Sequence, residues 1–347
     1  MRQCVIIFLV LGAGAILGVV LLRQQLSSLD FPVGQESTKE VILVEDENGE
    51  IMKEKEIFVT DGVRHSIPLE EILSGGPPQD GISPIDNPKF ISSNEADEWL
   101  TDEEPGIAFS RGDTHRFYPY QIMVWHEIVN DTIEGERVLV TYCPLCLTGF
   151  VLDPVVKGER VEFGVSGKLW KSNLVLYDRK TDSLWSQVLA EGIVGEMTGT
   201  KLTILSSDQM RYGNWKKKFL QGEVLSRNTG SFKPYGDSPY GGYFDAIPFA
   251  LSLADTNDDR LAPEAFVFGI VVNGMAKAYS TETVKAQGTI EDSFEGMDFI
   301  LRYDPELDVV RIYKKDAEGK EERINPISGF WFSWTAVHPD TELYNEQ

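Results

Sequence analysis

The sequence predicts a mainly β fold, a β-rich α+β domain of sandwich or barrel type, standing behind an N-terminal transmembrane helix. Three observations carry this expectation. From Ile107 onward the chain is a series of short β-branched and aromatic runs, among them VLVTY, VEFGV, NLVLYD, KLTIL, FVFGIVV and MDFILRY, separated by Gly, Asp and Asn. Such residues suit a half-buried pleated surface, and such separators turn the chain. Helical spacing is scarce: beyond residue 107 only 208–220 (DQMRYGNWKKKFL) reads as a helix. Finally, the chain echoes itself, which suggests two pseudo-repeated β-hairpin units.

The elements follow in order. Residues 1–23 hold an uncharged run, Val5–Leu22, between Arg2 and Arg23. At ~1.5 Å per residue a helix of this length just spans a bilayer core of roughly 30 Å. No small-residue cleavage site follows at a sensible distance, so the run reads as an uncleaved anchor, with a cleaved signal as the alternative. The expected location is the cell membrane, single-pass, with the bulk of the chain extracytoplasmic; cleavage would make it secreted. Residues 24–80 are a polar stalk or a short edge hairpin around Asn48-Gly49, leading into a Gly/Pro-rich connector. SSNEADEWL has the signature of a short helix. Residues 81–340 form a single β-rich domain whose repeated units are 106–153 and 267–314.

From 118–151 onto 279–312 the repeat is read at an offset of 161 residues without a gap, and upstream GIAFSRGDTHRFY resembles GIVVNGMAKAY once a short gap is allowed. Tyr118 falls on Tyr279, Asp131 on Asp292, Glu134-Gly135 on Glu295-Gly296, Tyr142 on Tyr303 and Pro144 on Pro305. Its most useful feature is where it breaks. Cys143-Pro-Leu-Cys146 faces Asp304-Pro-Glu-Leu307, and His126 faces Gln287. Asp-Pro between two strands is ordinary turn chemistry. The cysteines therefore occupy the first and last positions of a hairpin turn, close enough for both sulfurs to meet one metal ion or each other.

A net charge of −23 and the absence of a basic cluster argue against nucleic acid as a partner. There is no G-x-G-x-x-G, G-x-S-x-G or H-E-x-x-H, hence no nucleotide cofactor motif. Asp255–Asp259 begins like a calcium loop but has Arg260 where glycine is required. Three readings of Cys143 and Cys146 stay open. They are thiolate ligands of a soft metal, copper before zinc, with His126 as the third ligand. Alternatively they are a thiol–disulfide oxidoreductase pair, or a static disulfide in a structural or binding module. Glu127 orients His126 or faces solvent. The partners expected are the membrane, through the N-terminal helix, and a protein that exchanges metal or thiols.

The stretches WHEIVND, VTYCPLC, FGVSGKLWKSNLVLYDRKTDSLWSQ and FWFSW, in that order, resemble the domain-of-unknown-function 3179 family, from about Gly81 to His338. The resemblance implies an extracytoplasmic protein with an N-terminal signal or anchor, and supplies no reaction. Beyond His126 and the two cysteines, it implies Ser166, Gly167, Asn173, Tyr177, Asp178, Arg179, Trp185 and Gln187 as site candidates.

Overall fold

The computed structural model describes residues 37–45, 51–241, 250–254 and 256–345. Cys4, the apolar run Val5–Leu22 and the turn expected at Asn48-Gly49 lie outside them. Among the described residues no helix is long and apolar enough to cross a membrane. The fold is β-rich, as the alternating runs predict: among the described residues six sheets are joined by short helices.

Two stretches carry the same elements at the same offset of 161. Strands Pro105–Arg111 and Thr114–Pro119, helix Tyr120–His126, and strands Ile128–Ile133 and Glu136–Cys143 recur as Phe266–Val272, Met275–Ser280, Thr281–Gln287, Thr289–Phe294 and Met297–Asp304. The next strands, Thr148–Asp153 and Val309–Lys315, also begin in register. Polar contacts recur with them. Tyr118 Oη donates to Asp131 at 2.6 Å, and Tyr279 Oη to Asp292 at 2.7 Å. Arg116 meets Asp131 at 2.7 Å where Lys277 meets Asp292 at 2.6 Å. Each copy then closes with a strand, a short helix and a strand parallel to its second strand: Ser207–Arg211, Tyr212–Lys218 and Glu223–Leu225 in the first, Ile327–Phe330, Trp331–Val337 and Glu342–Leu343 in the second.

The copies differ by one large insertion. In the second, Val309–Lys315 turns tightly through Asp316 and Gly319 into Glu321–Ile324. In the first, the equivalent strands Thr148–Asp153 and Thr203–Leu205 are separated by residues 154–202. Those residues supply strands Phe163–Trp170, Asn173–Asp178, Leu184–Ser186 and Glu191–Val194 of an eight-stranded sheet. The segment read as a stalk completes that sheet: Thr38–Glu45 pairs with Ile51–Thr60, and Val63–His65 joins the pair to Glu191–Val194.

Several helices depart from the sequence reading. Within 208–220, residues Ser207–Arg211 are a strand and only Tyr212–Lys218 is helical. Tyr120–His126, Thr281–Gln287 and Trp331–Val337 are helices of seven residues that the runs hid. Two turns are too short to display a helical period or to be stable alone, so packing decides them. SSNEADEWL does start a helix, with Ser92 and Glu95 forming a capping box.

Candidate functional site

The cysteines sit where the insertion packs onto the first copy. Cys143 pairs with Thr148 across the hairpin, so Pro144–Leu147 make the turn, and Leu147 takes a left-handed φ of 55°. Its counterpart Asp308 has the same φ of 55°. Both cysteines are free thiols and both are buried. The turn is held from the other side by the second copy, since Phe330 N–H donates to Cys146 O at 3.0 Å.

Above the sulfurs lies a second hairpin, between Phe163–Trp170 and Asn173–Asp178. Trp170 pairs with Asn173, leaving a two-residue turn of Lys171 (φ 49°) and Ser172 (φ 63°). Two positive φ values are the geometry that Asn-Gly ordinarily supplies. Here Lys-Ser adopts it, and the strained turn sets Ser172 O 3.8 Å from Cys143 Sγ and Asn173 Nδ2 3.0 Å from Cys146 Sγ.

The amide orientations in this buried network follow from its fixed partners. Asn173 Oδ1 accepts from Val188 N–H at 3.0 Å, so its Nδ2 faces Cys146. Gln187 Nε2 donates to Thr141 Oγ1 and to Thr148 O, so its Oε1 accepts from Thr148 Oγ1 at 2.6 Å. Thr148 Oγ1 also lies 3.2 Å from Cys146 Sγ. Its single proton goes to Gln187 when Cys146 is a thiol and can swing to the sulfur when a thiolate forms.

The two thiols consequently differ. Burial pushes Cys146 up, but hydrogen bonds from Cys143, Thr148 and Asn173 outweigh it and bring the thiol down to about 7. Cys143 is driven well above the ordinary thiol range, by burial first and then by its partner sulfur. The pair thus gives up one proton readily, from Cys146, and holds the other on Cys143.

Cys143 lines a cavity of about 260 Å³, together with Leu145, Trp125, Leu169, Glu127, Tyr240, Lys168 and Lys233; Cys146 lies behind it. Tyr240 Oη donates to Glu127 Oε1 at 3.3 Å. A larger cavity, about 410 Å³, lies against Leu147, Gly149 and Phe150 of the same hairpin but meets neither sulfur.

The expected third ligand is engaged elsewhere. His126 Nδ1–H donates to Ser83 O at 2.7 Å, which leaves Nε2 to accept from Tyr235 Oη at 2.6 Å. Burial also lowers its pKa, favouring this neutral ring. With both nitrogens occupied, His126 ties the connector to the end of its helix. Among the described residues no three His, Cys, Asp or Glu side chains gather around a common point. Glu127, expected either to orient His126 or to face solvent, lines the cavity instead.

The remaining candidates divide in two. Asn173 and Gln187 join the cysteines. The others build the inserted sheet. Ser166 Oγ bonds Val175 O beside a strand irregularity, and Gly167 (φ 73°) lies so close to Pro77 that an added Cβ would stand 2.1 Å from its carbonyl oxygen. Tyr177 Oη donates to Asp80 at 2.5 Å. Asp178 accepts from Thr181 and from Trp185 Nε1, closing the following hairpin. Arg179 pairs with Asp86 and Glu162. Sequence reasoning missed Thr148, Ser172 and Tyr240. Thr148, two residues beyond Cys146 on the same strand, was within reach of it; Tyr240 lies in a turn-rich segment with no periodic signal.

A family model described as "Protein of unknown function (DUF3179)" matches residues 79–341. No curated protein and no solved structure matches the chain.

Proposed function

The chain belongs to the DUF3179 family, and we propose that it is a dithiol protein exchanging disulfides at Cys143 and Cys146 with a substrate admitted through the apolar cavity. The observation that carries this reading is the asymmetry of the sulfurs. Cys143 lines the cavity, while Cys146 sits behind it with Asn173 Nδ2 at 3.0 Å. An attacking sulfur must be reachable, and its partner must first accept the proton of the attacking thiol and then resolve the mixed disulfide.

The exchange balances as follows. The proton of Cys143 passes to Cys146, and the Cys143 thiolate attacks one sulfur of a substrate disulfide, breaking the S–S bond and releasing one thiolate, which takes a proton from a neighbouring acid. Cys146 then attacks Cys143 in the mixed disulfide, releasing the second thiol and closing the Cys143–Cys146 bond. Two electrons leave the protein pair and reduce the substrate disulfide; the reverse sequence oxidises a dithiol. A location outside the cytosol, expected from Val5–Leu22, would suit such a pair. The soft-metal reading, copper or zinc on Cys143 and Cys146, now lacks its expected third ligand.

The test is a redox titration of the detergent-solubilised full chain, with thiols counted at each potential. A reversible two-electron couple between about −270 and −120 mV, the span of known exchange proteins, is expected. It should vanish in Cys143→Ser. A pair inert across that span, or stoichiometric Cu(I) or Zn(II) uptake that abolishes exchange and is lost in Cys143→Ser, would overturn the reading in favour of a fixed disulfide or a metal carrier respectively.

A further inference from the structure

We propose that Glu127 is the proton carrier of this exchange, taking protons from the cysteine pair and delivering them to the departing thiols inside the cavity. The inference rests on the dithiol reading and adds a chemical role to it. Its strongest support is a comparison within the molecule. Glu127 caps helix Tyr120–His126 in the left-handed conformation, at φ 59°. The equivalent cap in the second copy, after helix Thr281–Gln287, is Gly288, at φ 71°. The two caps make the same backbone bonds: N–H to the carbonyls of Met123 and Val284, and C=O from the amides of Tyr142 and Tyr303. Glycine is the residue this conformation favours. The first copy instead accepts the strain of a β-carbon in order to carry a carboxyl group there.

Packing does not demand that carboxyl. A Cβ built on Gly288 meets nothing within 4 Å, so the cap position itself does not select a side chain. In the first copy the residue is 6 % exposed and lines the same cavity as Cys143. Tyr240 Oη is 3.3 Å away, and among the described residues Glu127 makes no ion pair. The charged or titratable groups around it are Cys143, Cys146 and Tyr240, with Lys168 and Lys233 also on the cavity wall. Burial raises the carboxyl to about 8, against the Tyr240 hydrogen bond and assisted by negative charge on Cys146. It is therefore protonated at neutral pH on the cavity wall it shares with Cys143.

This completes the proton balance. The reduced pair holds one proton and Glu127 a second. The first departing thiolate takes the proton of Glu127. The resulting carboxylate accepts the proton from Cys146, freeing that sulfur to attack the mixed disulfide, and then protonates the second departing thiolate. Two thiols leave, and Glu127 ends ionised beside an uncharged disulfide.

The test compares two disulfides on the full chain in detergent. Bis-hydroxyethyl disulfide releases an alkyl thiolate that must be protonated; dithiodipyridine releases a thiopyridone that needs no protein acid. Glu127→Gln should slow release of the first thiol from the first compound about a hundredfold or more and leave release of the first thiopyridone from the second nearly unchanged. Equal effects on both, or none on either, would overturn the proposal while leaving the dithiol reading intact. If the wild type reacts with neither and Cys143→Ser changes nothing, the dithiol reading itself fails. Should Glu127→Gln not fold, infrared difference spectra of the wild type decide. A protonated-carboxyl band present in the reduced protein at neutral pH and weakened on oxidation, as the thiolate charge beside the buried carboxyl is removed, is expected, and its absence from the reduced protein would overturn the role of Glu127.

Discussion

Replacing Glu127 with glutamine should change how stability depends on pH. The carboxyl has an ordinary value of 4.5 and is raised to about 8, chiefly by burial. A folded pKa above the unfolded one means that the native state binds more protons over the interval between them. The contribution is fully present below about 4.5 and is lost as pH rises through 8. At 1.36 kcal/mol per unit, the wild type should lose about 3 to 4 kcal/mol relative to Glu127→Gln between about pH 5 and pH 8. Cys146 works in the opposite direction, because its folded pKa is lowered from 9 to about 7. Its stabilisation is present above 9 and is lost as pH falls through 7. The comparison is therefore made in the Cys146→Ser background as well, where removing the thiolate charge should shrink the Glu127 effect without abolishing it. Urea unfolding across the pH range, followed by tryptophan fluorescence, gives the curves. Parallel curves for wild type and Glu127→Gln would mean that the carboxyl is not titrating in a buried site.

Further predictions concern the surroundings of the site. Asn173→Ala removes a donor from Cys146 and orphans Val188 N–H, so the thiolate absorbance of the pair should titrate at higher pH, with a stability loss of about 1–3 kcal/mol. His126→Gln should cost on the order of 2 kcal/mol through its bonds to Ser83 and Tyr235, yet leave the redox titration of the cysteines unmoved. Gly288→Ala, at positive φ with open space around the new Cβ, should cost about 1 kcal/mol in urea unfolding, a direct measure of the strain at the matching cap. Gly167→Ala drives a Cβ against Pro77 O and should cost more than about 2 kcal/mol, exposing residues 75–80 to limited proteolysis.

Much of the scaffold could be read from residue order. The β-branched runs specified strands, and the match of Cys143-Pro-Leu-Cys146 to Asp304-Pro-Glu-Leu307 pointed to a hairpin turn, which is where both segments lie. Three things resisted. The helices beginning at Tyr120, Thr281 and Trp331 are too short to carry a period, and only their packing reveals them. His126 was a plausible ligand by type and distance along the chain, but its ring nitrogens are claimed by Ser83 and Tyr235, a backbone carbonyl and a phenol that no spacing rule couples to it. The companions of the sulfurs come from remote segments: Asn173 and Gln187 on the inserted hairpins, and Glu127 and Tyr240 across the cavity. Such convergence is a property of the tertiary fold.

The insertion that carries Asn173 and Gln187 also enters and leaves its host at a single point, because Asp153 and Thr203, at its two ends, face each other across paired strands. The second copy spans the matching gap with Asp316–Lys320, closed by Asp316 N–H to Lys320 O at 3.0 Å. Grafting that short turn in place of residues 154–202 would leave the strand ladder of the host uninterrupted. The insertion nonetheless shares one core with its host, Phe163, Leu174 and Trp185 packing with Leu139, Cys143 and Phe150, so it acts as a roof over the two sulfurs, and new side chains above them are best introduced by editing its hairpins in place.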